Sequence, residues 1–286
     1  MRLFILSDAE GTAGVANFWD YSRPDFRYYE TTRSLVTQEI NAAIEGALEA
    51  GVTEVYVADA HGPGAVNVEL LHPEARVLTG RPVRFPFGFD ASYDLMFIIG
   101  QHAKSNTDGG HLSHSWSMEV EEMWINGMSV GEIGTWLILT GQLDVPVGMI
   151  SGDKAACDEA RALVPEIHTV VTKEGWSSGP ATGMTVDENR SLNGGAVHIH
   201  PTKARELIRE TAAKAVGDIG NYSMFKMEPP YDIVRLFRPK EKGEPHMLTR
   251  ASTDDPAETV NAHRSLERLD EDVHAFIDRM NSQGGN

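Results

Sequence analysis

Cysteine is almost absent: Cys157 stands alone among 286 residues. That excludes an internal disulfide and a cysteine-rich zinc site. Within Ala155-Ala156-Cys157 it reads as a small apolar residue on a helix, not as a catalytic thiol, which needs an electropositive setting. Basic residues are also scarce. Against 42 Asp and Glu there are 25 Lys and Arg, a formal net charge of −17. Such a chain repels phosphate backbones and anionic lipid, so neither nucleic acid nor a membrane surface is an expected partner. Long apolar runs are missing too, with none near the roughly 18–20 residues of a membrane span. The apolar start Met1–Leu6 stops at Ser7-Asp8, too short for a signal peptide. The expectation is a soluble, cytoplasmic protein, long enough for one large α/β domain or two smaller ones.

Four short apolar runs are present, at 3–7, 54–58, 94–100 and 145–150. Their apolar positions are continuous rather than alternating, which suits strands covered on both faces. Between the first two, Val36, Ile40, Ala43, Ile44 and Ala47 give a helix one apolar face, and Gly51 ends it. Strand, helix and strand at this spacing form a βαβ unit of a parallel sheet. Met123–Val130 reads as a hairpin closed by Asn126-Gly127. Helices are expected over 132–140, from a cap at Asp153 through Leu163, over 201–216, and as a charged amphipathic helix over 256–280. Residues 232–237 suit a strand. The stretch 175–195, rich in Gly, Ser and Asn, reads as a long excursion. The predicted architecture is α/β, a mostly parallel sheet flanked by helices. A core over 1–174 would carry the site, and a smaller C-terminal lobe over 175–286 would shape substrate binding and oligomerisation.

The strand ends hold the chemistry. The first runs into Asp8-Ala9-Glu10-Gly11, the second into Asp59-Ala60-His61-Gly62, and the third into Gly100-Gln101-His102. In a parallel sheet these ends share one edge, where open α/β sheets bind ligands. Glu132, opening the helix after the hairpin, can join them. Carboxylate and imidazole together suit zinc and related divalent ions, and a carboxylate such as Asp8 can bridge two metals. Singly, each residue has a plainer reading: Asp8 and Asp59 as turn caps, Glu10 as a solvated acid, His61 and His102 as structural histidines, Glu132 as a helix-dipole partner. Their convergence on one rim favours the metal site. The glycine-led loop 109–116 carries His111, Ser113 and His114 and can fold over that rim, where a histidine would serve as base, nucleophile or oxyanion partner. A Ser-His-Asp triad lacks a nucleophile-elbow motif. His198 and His200 suggest packing. His72, His168, His246, His263 and His274 show no partners in sequence.

Asp8-x-Glu10-Gly11-x-x-Gly14, Asp59-x-His61, Gly100-x-His102-Ala103, Ser113-His114-Ser115 and Gly131-Glu132 occur in this order. Together they resemble the D-aminopeptidase family of zinc peptidases, over residues 1 to about 165. The resemblance implies two zinc ions, with other divalent metals possible. Asp8 would bridge them, Glu10 and His61 would complete one position, and His102 and Glu132 the other. His114 matches the family's proposed catalytic nucleophile, and Arg190, in Asn189-Arg190-Ser191, aligns loosely with an arginine near the site. It further implies release of N-terminal D-residues from short peptides and a ring-shaped homo-oligomer, decameric in the type member. The excursion 175–195 looks longer than its family counterpart, which puts the D-residue preference in doubt. It motivates an alternative, an amidase acting on a non-peptide amide or lactam. A non-catalytic metal- or ligand-binding module is a second alternative. A dinuclear phosphoesterase is a weaker one, for want of a phosphate-cradling loop.

Overall fold

The structure is a computed structural model that describes all residues except 177–178, 263–264 and 285–286. It is a mixed α/β fold with two sheets. Along the chain come β1 (Arg2–Ser7), α1 (Phe18–Tyr21), α2 (Tyr29–Glu49), β2 (Glu54–Asp59), β3 (Ala75–Leu78) and β4 (Leu95–Gln101). The hairpin β5 (Val120–Ile125) and β6 (Met128–Ser129) follows, then α3 (Glu132–Gln142), β7 (Val147–Asp153), α4 (Lys154–Leu163) and β8 (His168–Gly175). The last part holds α5 (Val186–Leu192), β9 (Ala196–His198), α6 (Pro201–Gly217), β10 (Tyr231–Phe237), β11 (Met247–Thr253), β12 (Glu267–Arg268) and α7 (Val273–Gln283).

The larger sheet has the order β3-β2-β1-β4-β7-β8-β9 and is parallel except for β9. β1 shows why its strands read as unbroken apolar runs. Leu3 and Ile5 pack with Val36, Ile40 and Ile44 of α2 and Ile208 of α6 on one face. Phe4 and Leu6 pack with Phe89, Trp136 of α3 and Ala160 of α4 on the other. Both faces are buried, so polar residues have no place until the strand ends. The order reverses between β1 and β4, and at such a switch point the loops leaving neighbouring strands diverge and open a crevice.

The smaller sheet is antiparallel, β12-β11-β10-β5-β6, and joins the hairpin to strands more than a hundred residues later, with Trp124 opposite Val234. α7 covers one face through Phe276, Ile277 and Met280, and the Trp124 indole donates to Asn281 Oδ1 at 2.8 Å.

Three expectations need correction. No continuous helix spans 256–280: a 3₁₀ turn at Pro256–Glu258, β12 and α7 occupy that range. Residues 265–268 are exposed and offer no apolar stripe, and the Asp272 side chain caps α7 by accepting from Ala275 N. The excursion 175–195 is not wholly irregular. Thr185 and Glu188 form a reciprocal capping box that starts α5, a signal present in the sequence as Thr-x-x-Glu. Asp153 sits at the N-cap of α4, but its side chain makes no capping bond and instead accepts from Ala103 N and His111 N. No helix among the described residues is long and apolar enough to cross a membrane. His263 lies outside the described residues.

Candidate metal centre

Asp8 and Glu10 leave β1, His61 leaves β2 and His102 leaves β4, all at the carboxyl edge, and all are at least 94% buried. Glu132 is the first residue of α3. These five converge. His61 Nδ1 lies 3.2 Å from Asp8 Oδ1 and 3.1 Å from Glu10 Oε2. His102 Nε2 lies 3.2 Å from Asp8 Oδ2 and 3.4 Å from Glu132 Oε1. The two oxygens of Asp8 therefore face two different groups. His114, on the loop after Gly109-Gly110, stacks on His102 with ring centroids 3.9 Å apart, and its Nε2 is 3.8 Å from Glu132 Oε1.

Each imidazole is oriented by a carbonyl. Because a carbonyl only accepts, its partner nitrogen carries the proton. His61 Nε2 donates to Ser22 O at 3.0 Å, His102 Nδ1 to Ala103 O at 2.8 Å, and His114 Nδ1 to Leu112 O at 3.1 Å. The opposite nitrogen of each ring then points into the cluster toward the carboxylates, as in metal-ligating histidines. Gln101 Nε2 donates to Asp8 Oδ2 at 3.1 Å and to Glu132 Oε2 at 3.2 Å, holding both carboxylates. Trp116 N donates to Glu132 Oε1 at 3.0 Å. Leu112 and Trp116, flanking His114, have φ of 56° and 64°. Left-handed backbone at bulky residues stores strain and concentrates at functional sites.

The electrostatics follow from the packing. Burial disfavours charge on His61 and His102, yet the carboxylates around them, Glu10 and Glu132 foremost, hold both well above the ordinary imidazole range. Burial likewise opposes ionisation of Asp8, but the two histidines outweigh it and hold the carboxyl well below its usual range. His114 behaves differently: burial and the neighbouring His102 push it down. The rim thus attracts positive charge, while His114 keeps a free lone pair.

The chemistry of the donor set fits a pair of divalent ions. Zinc ligands at about 2.0–2.1 Å from a tetrahedral ion stand about 3.3 Å from one another. The four N···O separations of 3.1 to 3.4 Å match that edge. Glu10 Oε2 and His102 Nε2 are buried without a hydrogen-bond partner among the described residues. Asp8, Glu10 and His61 form one group of converging donors, and His102, His114 and Glu132 another. A cavity of about 330 Å³ opens onto both, walled by Phe18, Trp19, Trp116 and Met118, with Arg190 on its rim. The Arg190 guanidinium lies over the Trp19 ring at 5.4 Å and pairs with Asp187 at 3.1 Å, leaving Nε buried and unpartnered among the described residues.

Other polar residues of the rim have structural work. Asp59 accepts from Ala65 N, Val66 N and Thr79 Oγ1, folding the loop that carries His61. Asn193 binds Ser113, and Ser115 Oγ accepts from Ser105 N, which leaves neither serine in a triad. His198 accepts from Gly14 N, His200 caps α6, His168 pairs with Asp218, and His246 pairs with Glu121. Sequence reasoning missed Gln101, Glu39 and Lys173. Only Gln101, between Gly100 and His102, had a signal by position.

Fold and site together define a class: an α/β protein whose sheet-switch crevice has the make-up of a divalent-metal centre. The chain belongs to the D-aminopeptidase family, whose model matches residues 1–265. It is 36% identical over 221 residues to the D-aminopeptidase of Bacillus subtilis (strain 168), covering 76% of this chain and 74% of that one. It is also similar to the solved structure of the Zn-dependent D-aminopeptidase DppA from Bacillus subtilis, described as a self-compartmentalizing protease. The TM-score is 0.77, with 25% sequence identity and full coverage of both chains.

Proposed function

We propose that this chain is a zinc-dependent aminopeptidase that releases N-terminal residues, D-residues among them, from short peptides or amino acid amides. Two zinc ions would be held by Asp8 as the bridge, by Glu10 with His61, and by His102 with Glu132. The observation that carries this reading is the set of four donor separations at zinc-ligand spacing, split between the two oxygens of one aspartate. When bound, the ions supply Lewis-acid polarisation of the scissile carbonyl. The protein's own groups do the rest. His114, neutral and fixed through Nδ1, presents Nε2 to take up a proton or to attack. Phe18, Trp19, Trp116 and Met118 wall the cavity and limit water. Arg190, on the cavity rim with its guanidinium over Trp19, would bind the substrate's anionic end. A purely structural metal module would have closed coordination, whereas a cavity opens onto these donors.

The self-compartmentalizing description of the Bacillus relative supports a homo-oligomer for this chain. The ring-shaped decamer is what the family resemblance implies, and the cytoplasm is the location expected from the sequence. The C-terminal lobe after residue 174 would contribute Arg190 to substrate shaping.

The test is a substrate panel of D- and L-aminoacyl amides, dipeptides, N-acetylated dipeptides and simple lactams. Free-amine peptides and amides should turn over, and a chelator should abolish it. Turnover of lactams or simple amides alone would replace this reading with the amidase alternative.

A further inference from the structure

A second cluster of titratable side chains lies behind the rim, outside the cavity. Lys173 on β8 is 1% exposed, Asp153 at the end of β7 is 0%, Glu39 on α2 is 1% and His111 is 0%. His198, on β9, completes it. Asp153 accepts from Ala103 N at 3.1 Å and from His111 N at 3.4 Å. The other polar side chains converge on one segment, the loop 11–16 that follows Glu10. Thr172 Oγ1 donates to Gly11 O. Glu39 Oε1 accepts from Ala13 N at 2.9 Å, and His198 Nδ1 accepts from Gly14 N at 3.1 Å. Lys173 Nζ donates to Val15 O at 2.9 Å, and His111 Nε2 to Ala16 O at 3.1 Å. Five side chains from four separate parts of the chain thus hold five consecutive or near-consecutive peptide groups. The loop cannot drift toward β4 either, because a Cβ on Gly11 would stand 2.0 Å from Gln101 O.

Burying a lysine is costly, and a methionine would fill the same space without that cost. Lys173 faces Asp153, Glu39 and Glu10, so its ammonium balances acids that would otherwise repel one another beneath the loop. Thr172 and Lys173 are neighbours on one strand, and through Gly11 and Val15 they bracket the turn that directs Glu10 at His61.

We propose that Lys173 is a positioning residue for Glu10: by pinning the loop 11–16 it sets the affinity of the Glu10–His61 metal position without touching the metal. The inference rests on the two-metal reading above. It predicts an asymmetry. Glu132 and His102 are held by Gln101, Trp116 and Ala103, not by this loop, and Lys173 reaches them only through Asp153, which accepts from Ala103 N, so their metal position should be far less sensitive to Lys173. A simple charge effect has the opposite sign, since removing a cation would tighten both positions.

The experiment is stepwise zinc titration of the full chain against a competing chelator, for wild type, Lys173→Met, Glu10→Gln, the double variant and His198→Ala. Lys173→Met should weaken one step by about 10–100-fold, the range for residues that orient metal ligands, and leave the other near its wild-type value. Glu10→Gln should weaken the same step, and the double variant should show little further loss, because both act on one contact. His198→Ala, a change on the half-buried edge strand β9, should weaken that step in the same direction. Both steps unchanged, both tightened or both weakened equally in Lys173→Met would overturn the proposal, as would additive losses in the double variant. A merely structural loss weakens both steps alike. If Lys173→Met does not fold, unchanged zinc steps in His198→Ala overturn it. A wild-type chain that binds a single zinc would instead remove the two-metal reading itself.

Discussion

His114 and His111 stand three residues apart on one loop and do different things. His114 is stacked on His102 beside the cavity, with its Nε2 free. His114→Ala should lower kcat by about 10²–10⁴-fold, the scale of acid–base groups, with zinc content unchanged. Turnover near wild type would take it out of the mechanism. His111 is fully buried, and burial, with the charges of Lys173 and His198 beside it, pushes its pKa down to about 2. In the unfolded chain the same imidazole binds a proton below about pH 6.5. The unfolded state therefore holds the extra proton between those values, and stability is lost as pH falls below about 6.5. His111→Gln should make the fall of unfolding free energy between pH 6 and 4 shallower, by up to about 1.4 kcal/mol per pH unit. An unchanged slope in denaturant melts would show that His111 does not titrate as a buried neutral group. Arg190→Met should raise KM for peptides with a free carboxyl end more than for their amides, and equal changes would deny it the anionic end of the substrate.

At the scale of elements, much of the larger sheet was legible because β1, β2, β4 and β7 are buried on both faces and end at once in polar loops. α5 was legible in principle through Thr185 and Glu188 but hidden in a stretch of Gly and Ser. The expected C-terminal helix failed because charge and occasional apolar residues were taken for a stripe that only 273–280 possesses. The residues proposed as ligands could be picked out because four of them follow strands directly and Glu132 opens a helix. Their supports were not: Lys173, Glu39 and Asp153 bind backbone groups of remote loops, and no spacing in sequence reports that. Gly46 illustrates the same limit. Alanine in a helix interior is ordinarily worth up to about 1 kcal/mol over glycine. A Cβ at Gly46 of α2, however, would lie 2.1 Å from Arg209 O of α6. Overpacking should win, so Gly46→Ala should destabilise by about 1–3 kcal/mol in thermal or denaturant unfolding. A stabilised variant would mean the α2–α6 approach is looser than described.

At the scale of the whole molecule, the two sheets meet around the site. The larger sheet supplies Asp8, Glu10, His61 and His102, and the hairpin of the smaller sheet leads directly into Glu132. That pairing was not legible, because β5 finds β10 more than a hundred residues away. The 31.4 kDa chain should assemble with copies of itself, so light scattering should give a mass several times that value. A monomer at working concentration would contradict the proposed assembly. The central claim is the dinuclear centre, and anomalous diffraction at the zinc edge from zinc-loaded crystals tests it most directly. The prediction is two peaks roughly 3.5–4 Å apart on either side of the Asp8 carboxylate, one against Glu10 and His61 and the other against His102 and Glu132. A single peak, or zinc bound away from Asp8, would contradict it.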